Sequence, residues 1–339
     1  MTTTEQAPGP VGTPTGAPDP AGTVTHARSR PDACSVLSER AGISAFGTAS
    51  EARFWVAVEQ SGPWGRDAMT QSHLDAGLGA DLAAACQSAG GRLLLIRRPG
   101  LHADAHHRTS RRVLLAARLT GRPELLVGDV PDAADLLRLP FDALARGDLD
   151  AVRTALPALI PSAEPALLVC TNARRDVCCA VRGRPVALQA AAERPGQVWE
   201  CSHTGGHRFA PTAVLLPHGQ TWARLSTELA VAALDAAARG QLPAELLGPV
   251  HDRGRSPLTA PAQAAESFVR QQIGEIDLTA LSTVPDADNG PAEGVRSRVT
   301  HRDGRSWDVL ATRTAAQGER PDSCGKAPVP SWQWDCSLP

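Results

Sequence analysis

The chain has 339 residues, a formal net charge of −2 at pH 7 and a hydrophobic content of 42%. A charge so close to zero excludes a global basic field that would attract nucleic acid or an anionic membrane. Aromatic residues make up only 4% of the chain and tyrosine is absent, which argues against stacking platforms for single-stranded nucleic acid. The length predicts roughly two domains with enough apolar material for a core.

The first 33 residues are rich in Thr, Pro, Gly and Ala and contain almost no large apolar side chain. Such a segment buries too little surface to offset the entropy of ordering, so we expect residues 1–33 to be a disordered tail. The tail lacks the basic and apolar regions of a signal peptide, and no apolar run approaches the roughly 18–20 residues that span a bilayer. We therefore expect a cytoplasmic protein.

Residues 34–158 are predicted to form an N-terminal α/β domain. Apolar runs bounded by turn residues alternate here with segments of helical spacing. Strands are predicted at 52–59, 92–98, 111–119 and 124–130, and helices at 72–90 and around 132–147. A strand–helix–strand order of this kind favours a sheet covered by helices.

Residues 159–245 repeat that pattern. Strands are predicted at 165–170 and 197–202, a hairpin at 211–225 and a helix at 226–240. Between the first two strands, Asp176 can cap a helix, which Pro185 is expected to interrupt or delay. The resulting order β–α–β–β–β–α is typical of a compact thioredoxin-like module.

Residues 246–339 are predicted to form a C-terminal extension of one helix and one β-hairpin. Helical spacing covers 262–276, and the pattern over 295–313 is typical of a hairpin around an Asp303–Gly304 turn. The predicted fold class is therefore α/β, with a thioredoxin-like ferredoxin domain packed on an N-terminal α/β half and extended by a C-terminal helix and β-hairpin.

Four potential metal ligands, Cys170, Cys179, His203 and His207, are predicted to lie on loops that follow the first two strands of the second module. Two thiolates and two imidazoles complete a ligand set for either a tetrahedral zinc ion or a [2Fe–2S] cluster with histidines on its second iron. The spacing alone leaves both open, although C-x8-C is wider than a zinc-finger knuckle. A Gly-Gly pair between the histidines disfavours a helix and predicts a tight loop.

The side chain of Cys178 is expected to point away from that of the adjacent Cys179. Cys178 is therefore predicted to be a packing or spare thiol and not a ligand of the same centre.

The motifs CTNARRDVCCAVRGRP and VWECSHTGGHRFAPT resemble the sucrase/ferredoxin-like family of thioredoxin-fold ferredoxins. Flanking segments over 34–65, 254–270 and 323–326 resemble the same family, so the resemblance covers about residues 34–330. One departure is Asn172, where related sequences often carry a histidine that is not a ligand.

What the resemblance implies is a [2Fe–2S] cluster held by Cys170, Cys179, His203 and His207, with zinc as the alternative cofactor. The implied function is one-electron transfer with a redox partner protein, either a reductase or an electron acceptor. The alternatives are an oxidoreductase that reduces a small substrate such as a ferric chelate, and a zinc-binding module without redox activity. No nucleic-acid or membrane partner is expected, and no pair of glycosidase carboxylates is recognisable.

Other residues carry weaker signals. Arg175, Asp176 and Arg208 flank the ligands and are candidates either to orient them or to form caps and surface ion pairs. Cys324, in the segment SCGK, is a candidate redox thiol near the cluster or an idle cysteine. A second H-x3-H, beginning at His102, lies in a basic loop that is expected to be solvated or to dock an acidic redox partner.

Overall fold

The structure is a computed structural model that describes residues 30–100, 109–286 and 294–338. The predicted disordered tail lies almost entirely outside the described residues. Within these ranges the helices are α1 (Cys34–Arg40), α2 (Ala76–Ser88), α3 (Phe141–Ala145), α4 (Leu149–Ala155), α5 (Val177–Glu193), α6 (Thr227–Ala237) and α7 (Ala260–Ile273). The strands are β1 (Trp55–Glu59), β2 (Arg92–Arg97), β3 (Arg111–Ala117), β4 (Glu124–Val130), β5 (Ile160–Ser162), β6 (Ala166–Cys170), β7 (Val198–Cys201), β8 (Ala213–Leu216), β9 (Gln220–Trp222), β10 (Asp252–Arg255), β11 (Leu281–Pro285), β12 (Val295–His301), β13 (Ser306–Pro321) and β14 (Pro328–Ser337).

Ten of these strands form one mixed sheet in the order β10–β9–β8–β6–β7–β2–β1–β3–β4–β5. The N-terminal half and the half that carries the candidate ligands meet at β2 and β7. These two strands pair antiparallel, with Ile96 opposite Cys201 and Arg97 opposite Glu200. The predicted α/β class is confirmed, and one continuous sheet joins the two halves.

The two halves of the sheet share one topology. Strand β1 pairs parallel with β2 and antiparallel with β3, which pairs antiparallel with β4. Strands β6, β7, β8 and β9 are paired in the same way, so the predicted order β–α–β–β–β–α is observed from β6 to α6. Because the equivalent strands β2 and β7 are antiparallel neighbours, an approximate two-fold rotation relates the halves.

Apolar packing on both faces of the sheet surrounds the candidate ligands. One cluster, which includes Val56 and Leu82, joins the N-terminal strands to α2. A second, which includes Leu167, joins β6 and β8 to α5 and α6. A third cluster draws residues from both halves and contains Cys170 and Cys179. The two thiols therefore lie in the interior of the protein.

Helix α5 runs through Pro185 from Val177 to Glu193, so the expected interruption at this proline is wrong. A proline in a helix interior removes one N–H and its ring crowds a carbonyl of the preceding turn, and the buried side of α5 packs against the sheet and offsets that cost. Gly183 allows the close approach, because a Cβ atom there would lie 2.4 Å from the carbonyl oxygen of Cys170.

The C-terminal part contains the predicted helix, now α7, and the predicted hairpin, now β12 and β13. Strands β11 and β14 flank the hairpin, so that the four strands form a small antiparallel sheet. A buried ion pair between Arg255 and Glu266, 2.6 Å from nitrogen to oxygen, ties β10 to α7. Among the described residues, none of the helices has the length and apolar character needed to cross a membrane.

We expect His218 to make the fold sensitive to mild acid. This residue lies in the turn between β8 and β9, and its Nδ1 atom is buried without a hydrogen-bond partner among the described residues. Burial, together with the nearby charge of Arg255, lowers the pKa of His218 to about 4 against an opposing effect of Asp277. The unfolded chain takes up this proton near a pKa of about 6.5. Stability is therefore lost as the pH falls from 6.5 towards 4.

Between pH 7 and pH 5 the protonation of His218 in the unfolded chain should cost the folded protein about 2 kcal/mol. Urea unfolding at the two pH values should accordingly show a smaller acid-induced loss of stability in His218→Gln than in the wild type. The exposed His73 provides a matched control as His73→Gln. An equal loss in His218→Gln and in the wild type would contradict this expectation.

Candidate metal centre

The two predicted cysteine ligands lie together where β6 ends and α5 begins. Cys170 is the last residue of β6, Cys179 is in the first turn of α5, and the two residues are 1% and 0% exposed. A hydrogen bond from the Cys179 thiol is the main reason that the pKa of Cys170 is held well below its usual value. The same bond raises the pKa of Cys179. The two sulfurs therefore contact each other in apolar surroundings.

The two predicted histidine ligands lie on the loop that follows β7. The Nδ1 atom of His203 is 3.8 Å from the Sγ atom of Cys170, and the ring centroids of His203 and His207 are 6.0 Å apart. Gly205 and Gly206 form the turn between them with φ angles of +78° and +67°, in the left-handed region that favours glycine. The loop thus brings His203 to the thiol pair and places His207 beside His203.

His207 has one ring nitrogen available for a metal. Its Nδ1 atom is buried and has no hydrogen-bond partner among the described residues, whereas its Nε2 atom lies 3.8 Å from Oδ2 of Asp176. Burial lowers the pKa of His207, and Asp176 opposes the shift. A neutral imidazole with a free nitrogen is the form that binds metals. The donor set of Cys170, Cys179, His203 and His207, called the Cys2His2 quartet below, is therefore chemically suited to a metal cofactor.

A buried arginine supports the histidine loop. Arg253 is 1% exposed; its guanidinium donates to the Gly205 carbonyl at 3.1 Å, to the Thr48 hydroxyl at 3.0 Å and to the Thr48 carbonyl. A Cβ atom on Gly206 would lie 2.3 Å from the same guanidinium, so only glycine leaves room for it. Burial lowers the pKa of Arg253 to about 9, which leaves it charged at neutral pH. Sequence reasoning missed this contact, because Arg253 lies outside the ligand motifs.

The residues predicted to flank the ligands have different partners. Asp176 caps α5 by accepting a hydrogen bond from the Cys178 N–H at 2.8 Å, and it also contacts His207. The predicted cap is therefore observed, and the proposed role of Asp176 in orienting a ligand stays a prediction. Arg208 lies over the ring of Phe209 at 4.8 Å, and its guanidinium is 3.5 Å from Asp322. Arg208 is thus held by an aromatic ring and a carboxylate.

Asn172, the departure from the family pattern, donates from Nδ2 to the carbonyl oxygen of Gly65 at 3.0 Å. Its Oδ1 atom accepts a hydrogen bond from the N–H of Arg174. The side chain is therefore occupied in holding the loop after β6. The second H-x3-H, at His102 and His106, lies outside the described residues.

A second set of metal-ligating side chains adjoins the quartet. The ligand atoms of Cys34, Asp176, Cys178 and Cys324 all lie within 4.8 Å of one another, and we call these residues the three-cysteine group. Hydrogen bonds from Cys34 and then from Ser35 and Cys324 lower the pKa of Cys178 to about 6, against burial. Burial raises the pKa of Cys324 to about 11. Such a group could bind a metal ion.

Sequence reasoning missed the three-cysteine group. The sulfurs of Cys34 and Cys178 come from positions 144 residues apart, and those of Cys34 and Cys324 from positions 290 residues apart. No local spacing links such distant cysteines. The one available signal was that the segments around Cys34 and Cys324 resemble the same family.

Comparison with known families identifies the family of the chain. The family model described as sucrase/ferredoxin-like matches residues 45–243, which is more than half of the chain. The chain belongs to this family. The matched range runs from before β1 to the end of α6 and includes the whole Cys2His2 quartet, but it includes neither Cys34 nor Cys324. Searches of curated proteins and of solved structures give no match.

Proposed function

We propose that this member of the sucrase/ferredoxin-like family binds a [2Fe–2S] cluster and transfers single electrons. In this proposal Cys170 and Cys179 bind one iron, and His203 and His207 bind the other. The observation that carries it is the buried thiol pair in contact with His203, together with the partnerless Nδ1 atom of His207. The family match covers residues 45–243 and so includes all four residues.

The arrangement of the quartet favours a cluster over a single zinc ion. A [2Fe–2S] cluster divides its four ligands into two pairs, one on each iron, and the quartet consists of a thiol pair and an imidazole pair. A zinc ion instead gathers four donor atoms at about 2.0–2.3 Å in a tetrahedron, so that neighbouring donors lie about 3.3–3.8 Å apart. In the part of the chain that the structure describes, the sulfurs of the three-cysteine group are 3.1–3.6 Å apart, whereas the ring centroids of His203 and His207 are 6.0 Å apart. Zinc thus suits the neighbouring group better.

A bound [2Fe–2S] cluster would supply a one-electron redox centre at the quartet. Two neutral imidazoles in place of two thiolates remove negative charge from the ligand set, which favours the uptake of an electron. The buried charge of Arg253 acts in the same direction. The thiol end is almost completely buried, whereas the side chain of His207 is 22% exposed. We therefore propose that electrons enter and leave at the histidine end.

The electron donor or acceptor is proposed to be a separate redox protein. The sequence contains no G-x-G-x-x-G signature of a dinucleotide-binding module, so electrons are proposed to come from outside the chain. None of the eight cysteines, all of which the structure describes, forms a disulfide, which is typical of proteins in a reducing compartment. We therefore propose that the carrier works in the cytoplasm.

Anaerobic purification followed by metal and sulfide analysis tests the cofactor. We expect about two irons and two acid-labile sulfides per chain, with the visible absorption of a [2Fe–2S] cluster. A colourless protein without sulfide would rule out the cluster. Mixing the reduced protein with ferric chelates and a supplied reductant then separates a carrier from an enzyme, because fast turnover that saturates with chelate concentration favours an enzyme.

Replacing His207 by cysteine should retain a cluster and lower its reduction potential. A third thiolate adds negative charge and opposes reduction, and the expected shift is on the order of 100 mV. A potentiometric titration followed by electron paramagnetic resonance measures it. Cys336→Ser, in the small C-terminal sheet, is the matched control and should leave the potential unchanged. A wild-type potential in His207→Cys would remove this residue from the ligand set.

A further inference from the structure

The three-cysteine group has the composition and spacing of a mononuclear metal site. The Sγ atoms of Cys34, Cys178 and Cys324 form a triangle with sides of 3.5, 3.1 and 3.6 Å. Both carboxylate oxygens of Asp176 lie 3.9 Å from the Sγ atom of Cys34. We propose that these four residues bind one zinc ion, which fastens both ends of the chain to the half of the protein that carries the quartet.

The distances suit one tetrahedral ion. With zinc–sulfur bonds of about 2.3 Å, two thiolates on the same tetrahedral ion lie about 3.8 Å apart, and a thiolate and a carboxylate oxygen lie about 3.5 Å apart. The observed separations differ from these values by a few tenths of an ångström, apart from the shorter contact between Cys178 and Cys324. All three sulfur pairs are well beyond the roughly 2.05 Å of a disulfide bond. The group is therefore arranged for a shared ion.

The donor types select zinc. Thiolates are soft ligands that prefer zinc or iron–sulfur centres over magnesium or calcium. Three sulfurs and one carboxylate within 4.8 Å of one another supply the four donors of a closed, four-coordinate zinc site. Cys178 also lies in the first turn of α5, where the unpaired amides and the helix dipole favour a thiolate.

The surroundings hold the ligands in place. Asp176 accepts hydrogen bonds from the N–H groups of Cys178 and Cys324 at 2.8 and 2.9 Å and from the Ser323 hydroxyl at 2.8 Å. Its Oδ1 atom takes only the first of these bonds, which leaves an acceptor position for an ion. The hydroxyl of Ser35 donates to the sulfur of Cys178 at 3.2 Å. Such outer hydrogen bonds orient metal ligands and tune their affinity.

An ion can reach the group from solvent. A cleft of about 340 Å³ opens onto Cys178 and Cys324 and is lined by Arg30, Asp32 and Gly325 among others. An entry path of this kind is one of the requirements of a metal site.

The position of the group suggests what the ion does. Cys34 begins α1, Cys178 is in α5, and Cys324 lies on the turn between β13 and β14. Two of the four ligands thus come from outside the family match over residues 45–243. Because binding of a structural metal contributes directly to folding, the ion would hold both terminal segments against α5. The proposal does not depend on the cluster, since the two sites share no ligand.

Elemental analysis of the full-length protein after anaerobic purification and dialysis tests this proposal. We expect about one zinc per chain, with X-ray absorption showing about three sulfurs at 2.3 Å and one oxygen near 2.0–2.2 Å. Cys324→Ser and Cys34→Ser should each lower the zinc content at least about tenfold. Cys336→Ser is the matched control and should keep it. Iron and sulfide, measured in the same samples, report on the quartet separately.

Three outcomes would overturn the proposal. The first is wild-type protein with less than about a tenth of a zinc per chain after growth in zinc-supplemented medium. The second is a disulfide between any two of these cysteines, detected by mass spectrometry without reduction. The third is zinc bound through histidine nitrogens, which would place the ion at the quartet. Wild-type protein without acid-labile sulfide but with zinc bound to three sulfurs would instead contradict the proposed [2Fe–2S] cluster and support the zinc site.

Discussion

Cys179→Ser should lose iron and sulfide and retain zinc, whereas Cys178→Ser should lose zinc and retain iron and sulfide. The two cysteines are adjacent, but their side chains diverge at the start of α5. Cys179 contacts Cys170 in the apolar cluster shared by the two halves. Cys178 instead contacts Cys34 and Cys324. Each substitution therefore removes a ligand from one site only.

The two variants act as controls for each other, because they make the same chemical change one residue apart in the same helix turn. Each should lower the content of its own metal at least about tenfold. Iron, zinc and sulfide analysis with a visible spectrum of each variant measures the outcome. Loss of iron from Cys178→Ser with normal iron in Cys179→Ser would reverse the two ligand assignments. Loss of both metals from both variants would show that the two sites form only together.

Arg253→Met should destabilise the protein and lower the potential of the cluster. The guanidinium donates hydrogen bonds to both oxygens of Thr48 and to the Gly205 carbonyl. Without it these buried acceptors lose their partner, at a cost of about 2–4 kcal/mol. In the described part of the chain no ion pair joins Arg253 to a carboxylate, and the groups that act against the lowering of its pKa are Cys170 and Cys179. Removing that charge makes reduction of the cluster less favourable. For a one-electron centre, a change of about 1.4 kcal/mol in the free energy of reduction corresponds to about 60 mV in the reduction potential.

Arg253→Lys separates these two effects. Lysine keeps the positive charge but lacks the planar fork that reaches three oxygens at once. We therefore expect Arg253→Lys to lose stability in urea unfolding and to keep a potential close to that of the wild type. A potential in Arg253→Met that matches the wild type, with iron content intact, would show that this charge does not act on the cluster.

Most helices and strands were predictable because their signals are local. The apolar run of β6, the cap at Asp176 and the turn at Asp303–Gly304 each occupy a few neighbouring residues. Pro185 misled the prediction for a physical reason: its local cost is real, but packing of α5 on the sheet outweighs it. Local chemistry predicts an element well until tertiary contacts compete with it.

The sequence by itself determined the α/β class, the family and the candidate quartet, because the quartet lies in two short motifs with a recognisable spacing. Only the tertiary structure decided which groups surround it. The joining of the two halves through β2 and β7, the support of Gly205 by Arg253, and the meeting of Cys34 with Cys324 all link distant positions. Such contacts follow from the packing of whole sheets and helices, and no periodicity along the chain encodes them.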